Sequence, residues 1–132
     1  MHMSADTDDA RWAPVRDWHA AVSARDLMAA KAVADPDIRV GGPRGSAQGV
    51  DAFLDWVRDS GIRIEPVGWH TVDEHRVVVE QDAAWPGRAD SGPEAAPVRT
   101  ATLFEVRHGL ITAALRYDEG VEAALDAARR TS

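Results

Sequence analysis

The segment VRTATLFEVRHGLITAALRY, residues 98–117, decides the fold. Two runs rich in β-branched and apolar residues, Val98 to Arg107 and Leu110 to Tyr117, meet at His108-Gly109. So short a break between two alternating runs reads as a tight β-hairpin. Upstream, Arg76 to Trp85 repeats the pattern, with Val77, Val79, Gln81, Ala83 and Trp85 on one face and Glu80 and Asp82 on the other. Ile62 to Val72 reads as a fourth strand, where Pro66 and Gly68 imply an edge or a bulge. Pro86 to Pro97, rich in Gly, Pro and Ala, reads as a long hairpin loop. Four strands in succession make an antiparallel meander.

The first half has a different period. Pro14 suits a first helical turn, and Val15, Trp18 and Val22 follow at spacings of three and four, giving one apolar stripe. Asp26 has the character of an N-cap for a second helix, Leu27 to Ala34, which Asp35-Pro36 stops. Ile38 to Val40 reads as a short strand leading into the turn-forming run Gly41-Gly-Pro-Arg-Gly45. A third helix covers about Val50 to Asp59 and ends at Gly61. A last one covers about Gly120 to Arg129. Helices followed by a meander predict an α+β domain with the helices packed on one sheet face. We expect a tail over residues 1–10 and one domain over residues 11–129, since 132 residues suffice for a single core.

Composition narrows the function classes. The net charge is −7, with 22 Asp and Glu against 15 Lys and Arg, and Lys31 is the only lysine. Nucleic-acid binding needs clustered cations, so it is not expected. No segment has the roughly 18 apolar residues of a membrane span, and no secretory signal pattern opens the chain. Cysteine is absent, which removes disulfides and thiol chemistry and fits a cytoplasmic protein. His70 and His75 lie near Asp73 and Glu74, but no spacing puts three ligands on one side, so neither a metal nor a cofactor is expected. Five tryptophans must share one core or line one cavity.

Several stretches in order resemble the SnoaL-like and nuclear transport factor 2-like superfamily. They are Trp18 through Leu27, Ala34 through Gly45 with Gly49 and Phe53, Phe104 through Ile111, and Leu115-Arg-Tyr-Asp118. The resemblance implies a curved antiparallel sheet wrapped as a cone around the N-terminal helices, a short C-terminal helix, and a pocket open at one end. It does not choose a reaction. In ketosteroid isomerase-like members the motif position of the base is Gly42 here, that of the donor Tyr is Trp18, and that of the protonated Asp is near Thr102. The epoxide hydrolase-like positions read Gln81, Ala83 and Arg116, and the cyclase-like Asp also falls on Arg116. Neither family's general-base scheme is available at those positions.

The expected function is therefore an aromatic-rich pocket for a small hydrophobic molecule, lined by Trp18, Trp56, Gln81, Trp85, Thr102, Phe104 and Arg116. An enzyme using Asp118, Asp35 or His19 is the alternative, although Asp118 also suits a helix cap and Asp35 a turn. His19 reads by default as a surface or helix-packing residue. A homodimer through the sheet face Ile111, Ala113, Leu115 and Tyr117 is the third reading. Arg116 lies opposite that face: either the apolar face is core and Arg116 is surface, or it is a dimer face and Arg116 lines the pocket.

Overall fold

The computed structural model describes residues 10–42, 45–84 and 97–130. Most of the expected tail, Pro43-Arg44, Trp85 and nearly all of the 86–97 loop lie outside the described residues. After a 3₁₀ turn at Ala10–Trp12 come helices α1 (Ala13–Ala24) and α2 (Leu27–Val33), then strands β1 (Ala34–Gly42) and β2 (Gly45–Gln48). Helix α3 (Val50–Ser60) leads into β3 (Arg63–Thr71), β4 (Arg76–Ala84), β5 (Val98–Arg107) and β6 (Leu110–Tyr117), and α4 (Val121–Arg130) closes the chain. The strands form one curved, unclosed sheet in the order β2-β1-β6-β5-β4-β3. No helix among the described residues is long and apolar enough to cross a membrane.

Local chemistry sets the corners. Helix α1 ends with Asp26 N–H donating to the Ala21 carbonyl at 2.9 Å and Arg25 N–H donating to Val22 at 3.1 Å. That is a Schellman closure with Arg25, at φ 56°, where glycine is usual. Asp26 then caps α2 by accepting from Ala29 N–H at 3.1 Å. At the β5–β6 hairpin, His108 and Gly109 both have positive φ, 54° and 77°. Positive φ at both central residues is the type I′ geometry, whose twist matches the flanking strands. Asp73 holds the β3–β4 turn by accepting from His75 and Arg76 N–H, each at 2.9 Å.

The sheet has two working faces. On the concave face, the 3₁₀ turn and α1 to α3 bury Trp12, Val15, Trp18, Phe53 and Val57 against Val77, Val79, Phe104, Ile111 and Ala114. On the other face, α4 sets Ala124 and Ala128 against Val78, Ala101 and Leu103. Trp18 is the centre of the first cluster. Its ring meets Phe104 edge-on at 4.8 Å and stacks near Phe53 and Trp56 at 6.3 and 6.2 Å. Aromatic pairs in such arrangements add to the burial of their area.

Four expectations change. The run Gly41 to Gly45 is not only a turn: β1 extends through Gly42, and a short strand, β2, follows at Gly45–Gln48. The sheet is mixed, because β1 runs parallel to β6 while every other pair is antiparallel. The helices are not confined to one face, since α4 covers the back. Finally, Ile111 does not share a face with Ala113, Leu115 and Tyr117. The β5–β6 register slips between Glu105 and Val106, leaving Thr112 as the extra residue of a bulge. Ile111 therefore turns into the concave core, while Tyr117 joins the back cluster.

Truncating the residue that meets Trp18 edge-on tests this packing. Phe104→Ala should cost about 3–5 kcal/mol by urea unfolding. A cost under about 1 kcal/mol would show that Phe104 is not a keystone of the concave core.

Candidate functional site

Next to Trp18 on α1, His19 starts a polar path inside an otherwise apolar interior. It is 3% exposed, and Gln81, on the facing strand, is 1% exposed. His19 lies four residues after Val15 and three before Val22, so it falls on the buried stripe of α1 rather than on the surface. Its Nδ1 donates to the Val15 carbonyl at 2.9 Å. Its Nε2 lies 2.9 Å from Gln81 Oε1. Gln81 Nε2 donates to Thr102 Oγ1 at 2.7 Å and more weakly to Thr100 Oγ1 at 3.4 Å. Both threonines are buried.

Hydrogen-bond chemistry limits the protonation states of this path. With Nδ1 donating to Val15, Nε2 can donate to Gln81 Oε1 only if the ring is an imidazolium. A neutral ring instead needs the amide turned by 180°, so that Gln81 donates to Nε2 and accepts from the threonine hydroxyls. Burial pushes the imidazole below its ordinary value of 6.5, and the hydrogen bonds to Val15 and Gln81 oppose that shift only in part. At neutral pH the neutral ring with the turned amide is therefore the favoured state. Both ring nitrogens are engaged in either state.

A cleft of about 720 Å³ opens where α1 passes the edge strand β3. Helix α1 contributes Arg16, His19, Ala20 and Ser23 to it, and β3 contributes Ile64, Pro66 and Trp69. Asp82, Ala84 and Pro97 border its far end, and Arg63 and Glu65 its outer strand. Ser23 shapes the wall: its hydroxyl donates to the Ile64 carbonyl and accepts from the Ile64 N–H, both at 3.0 Å. One serine thus satisfies backbone groups that an edge strand would leave open. Asp82 pairs with Arg99 of the neighbouring strand.

The expected pocket residues separate into three places. Trp18 and Phe104 are packed against each other in the core, with Trp56 half-buried beside them. Gln81 and Thr102 are joined in the polar path. Arg116 lies opposite Thr102 in the β5–β6 register, on the concave side, and its guanidinium passes near Gly42. Its Nε is 2.9 Å from Asp118 Oδ1. Trp85 lies outside the described residues. Asp35 is occupied locally, accepting from Asp37 N–H at 2.8 Å. Ser23, Ile64 and Thr100 are among the residues that sequence reasoning did not single out. Only Thr100 carried a usable signal, since it alternates with Thr102 and Phe104. Among the described residues, no group of three His, Cys, Asp or Glu side chains could hold a metal ion.

The depressed imidazole gives a signed expectation. The unfolded chain protonates His19 near 6.5 while the folded chain resists it, so stability is lost as pH falls below 6.5 toward the folded value. The slope contributed by this one group is at most about 1.4 kcal/mol per pH unit. Wild type and His19→Gln, compared by urea unfolding at neutral and mildly acidic pH, should diverge, with the wild type losing more. Parallel losses would show that His19 is not the acid-labile group.

Comparison with known proteins places the fold. A search of curated protein sequences returns no match. Among solved structures, a nuclear transport factor 2-like protein of unknown function from Cytophaga hutchinsonii aligns with TM-score 0.68 at 17% identity, covering 89% of this chain and 93% of that one. A candidate polyketide cyclase from Sinorhizobium meliloti aligns with TM-score 0.63 at 25% identity, covering 78% and 92%. A candidate ketosteroid isomerase from Kribbella flavida aligns with TM-score 0.67 at 13% identity, covering 88% and 81%. At sequence level, the SnoaL-like domain model matches residues 15–114, from the buried stripe of α1 to the middle of β6. The chain belongs to the SnoaL-like domain family.

Proposed function

We propose that this chain binds a small hydrophobic molecule in the cleft between α1 and β3. The observation that carries the reading is the cleft of about 720 Å³ with the indole of Trp69 in its wall. Its size lies within the range of about 300–1,000 Å³ usual for small-molecule sites. Ala20, Ile64, Pro66 and Ala84 supply further apolar wall. The similarity to a candidate cyclase and a candidate isomerase favours a small-molecule ligand over a macromolecular one. The absence of cysteine suits a cytoplasmic setting.

An enzymatic reading, of hydrolase, isomerase or cyclase type, draws on His19, the buried titratable group of the cleft. Its two nitrogens are already engaged, so a base role requires the Gln81 bond to open first. A dimeric reading draws on the back of the sheet, where Leu103, Ala113, Leu115 and Tyr117 line a groove of about 380 Å³ beside Arg76 and Arg107. Part of that face is taken by α4, which leaves the β6 side for a second copy.

Two measurements separate these readings. In a thermal-shift screen with uncharged polycyclic compounds, a ligand present in excess should raise the Tm of the wild type. Trp69→Ala should weaken that ligand about tenfold or more, a loss of about 1.4 kcal/mol. Absence of any response from the wild type, or equal binding by the variant, would sink the cleft reading. Sedimentation at micromolar concentration reports on assembly: Leu115→Glu should convert a dimer to a monomer. A monomeric wild type would exclude the sheet-face dimer.

A further inference from the structure

Three polar side chains of the cleft lining are already spent on the protein itself, while Arg16, Arg63 and Glu65 also border it. His19 uses Nδ1 on the Val15 carbonyl and Nε2 on Gln81. Ser23 uses its hydroxyl on both backbone groups of Ile64. Asp82 is held by Arg99. A polar ligand group set against these three side chains would lose its water and gain no free partner, at a cost of about 1–3 kcal/mol for each unsatisfied group. A ligand poor in such groups pays no such penalty. The ring of His19 nonetheless sits at the cleft and can take up a proton, which would put a charge beneath an apolar ligand.

Resting on the cleft reading above, we infer that the His19–Gln81 pair sets the specificity of the site: it admits uncharged ligands poor in hydrogen-bonding groups and releases them when His19 takes up a proton. Ligand binding and proton uptake are linked. A bound apolar molecule displaces water from the cleft that the buried His19 ring borders and so raises the cost of its charged form. Whatever makes protonation harder in the complex makes binding weaker in the protonated protein, by the same factor. Charges around the ring do not cancel this. Arg16 of α1 and Arg63 of β3 bring positive charge to the cleft, and Glu65 of β3 and Asp82 of β4 bring negative charge, the latter neutralised by Arg99. On the sheet side, His19 meets Gln81 and, beyond it, two threonines, with Arg116 opposite Thr102 on β6. Proton uptake also fixes the Gln81 amide with its oxygen toward the ring and its nitrogen toward Thr102, so the change is felt across the sheet.

Two fluorescent probes that share a ring skeleton test this, uncharged N-phenylnaphthylamine and its anionic relative anilinonaphthalene sulfonate. At about pH 8 the uncharged probe should bind the more tightly, and its affinity should fall about fivefold or more at a second pH, about one unit below the His19 titration located by NMR. The anionic probe should show no such fall. In His19→Gln, which keeps an amide toward Gln81 but cannot titrate, the affinity of the uncharged probe should be the same at both pH values. Equal affinity at both pH values in the wild type, or tighter anion binding at about pH 8, would overturn the inference. Should His19→Gln not fold, the His19 ring-proton titration followed by NMR in the wild type decides instead. The uncharged probe should move that titration to lower pH, and an unmoved titration rejects the proposal. Trp69→Ala distinguishes the two levels of the argument. If it abolishes probe binding while the wild type shows no pH dependence, the cleft reading stands and the His19 inference falls. If the variant binds the probe as well as the wild type, or the wild type binds none, the cleft reading itself fails.

Discussion

The seating of α1 on the concave face of the sheet is the constraint on which the rest depends. Two adjacent residues, about 100° apart around the helix, carry it in different ways. Trp18 drives into the aromatic cluster with Phe53, Trp56 and Phe104. His19 turns toward β4 and bonds Gln81. Apolar packing is tolerant of small rotations, because contact area changes gradually. A hydrogen bond of 2.9 Å between two buried side chains is not, since an offset of 1 Å leaves both partners unpaired in a low dielectric. The aromatic cluster supplies the attraction, and the His19–Gln81 bond fixes the rotation of the helix. The cleft exists at that rotation because Ser23, one turn further along α1, then meets Ile64 and holds the edge strand at a set distance.

Burying a polar path through such a core is costly unless every member is satisfied. Here the path closes from the Val15 carbonyl through His19 and Gln81 to Thr102, with Thr100 as a weaker partner. The indoles are less well served. Among the described residues, neither Trp12 Nε1 nor Trp18 Nε1 has a hydrogen-bond partner, although both rings are buried. An unpaired buried N–H costs on the order of 1–3 kcal/mol. For Trp18 that cost is set against a ring that touches three other aromatics and fills the middle of the concave face.

Much of this fold was legible in the sequence. Each strand of the meander and each helix was visible, because alternation and the three-four spacing report directly on which side of an element is buried. The parts that were not legible share a cause. The β2 strand, Gly45–Gln48, is exposed along its whole length, so it carries no burial pattern. The bulge at Thr112 breaks the two-residue period on which the face assignment of Ile111 rested. Parallel pairing of β1 with β6 is a long-range choice that no local pattern records. For the site, His19 occupied the buried stripe of α1, at the spacings that made Val15 and Val22 core residues. Polarity argued for the surface and periodicity for the interior. Periodicity was the better guide, because Gln81 on the inward face of β4 offered the partner that makes a buried imidazole tolerable.

The positions where relatives of this fold carry catalytic groups acquire a common meaning once the register is known. Gln81 pairs across to Thr100, and Thr102 to Arg116. At the next strand, the bare backbone of Gly42 lies beside the Arg116 guanidinium. These residues therefore form one polar band across β4, β5, β6 and β1, with His19 at one end and the Arg116–Asp118 pair at the other. The band runs along the concave face where a central ligand would lie, yet the centre of that face is occupied by Trp18 and Phe104. The side cleft beside Trp69, where the proposed small-molecule ligand would lie, meets this band at His19.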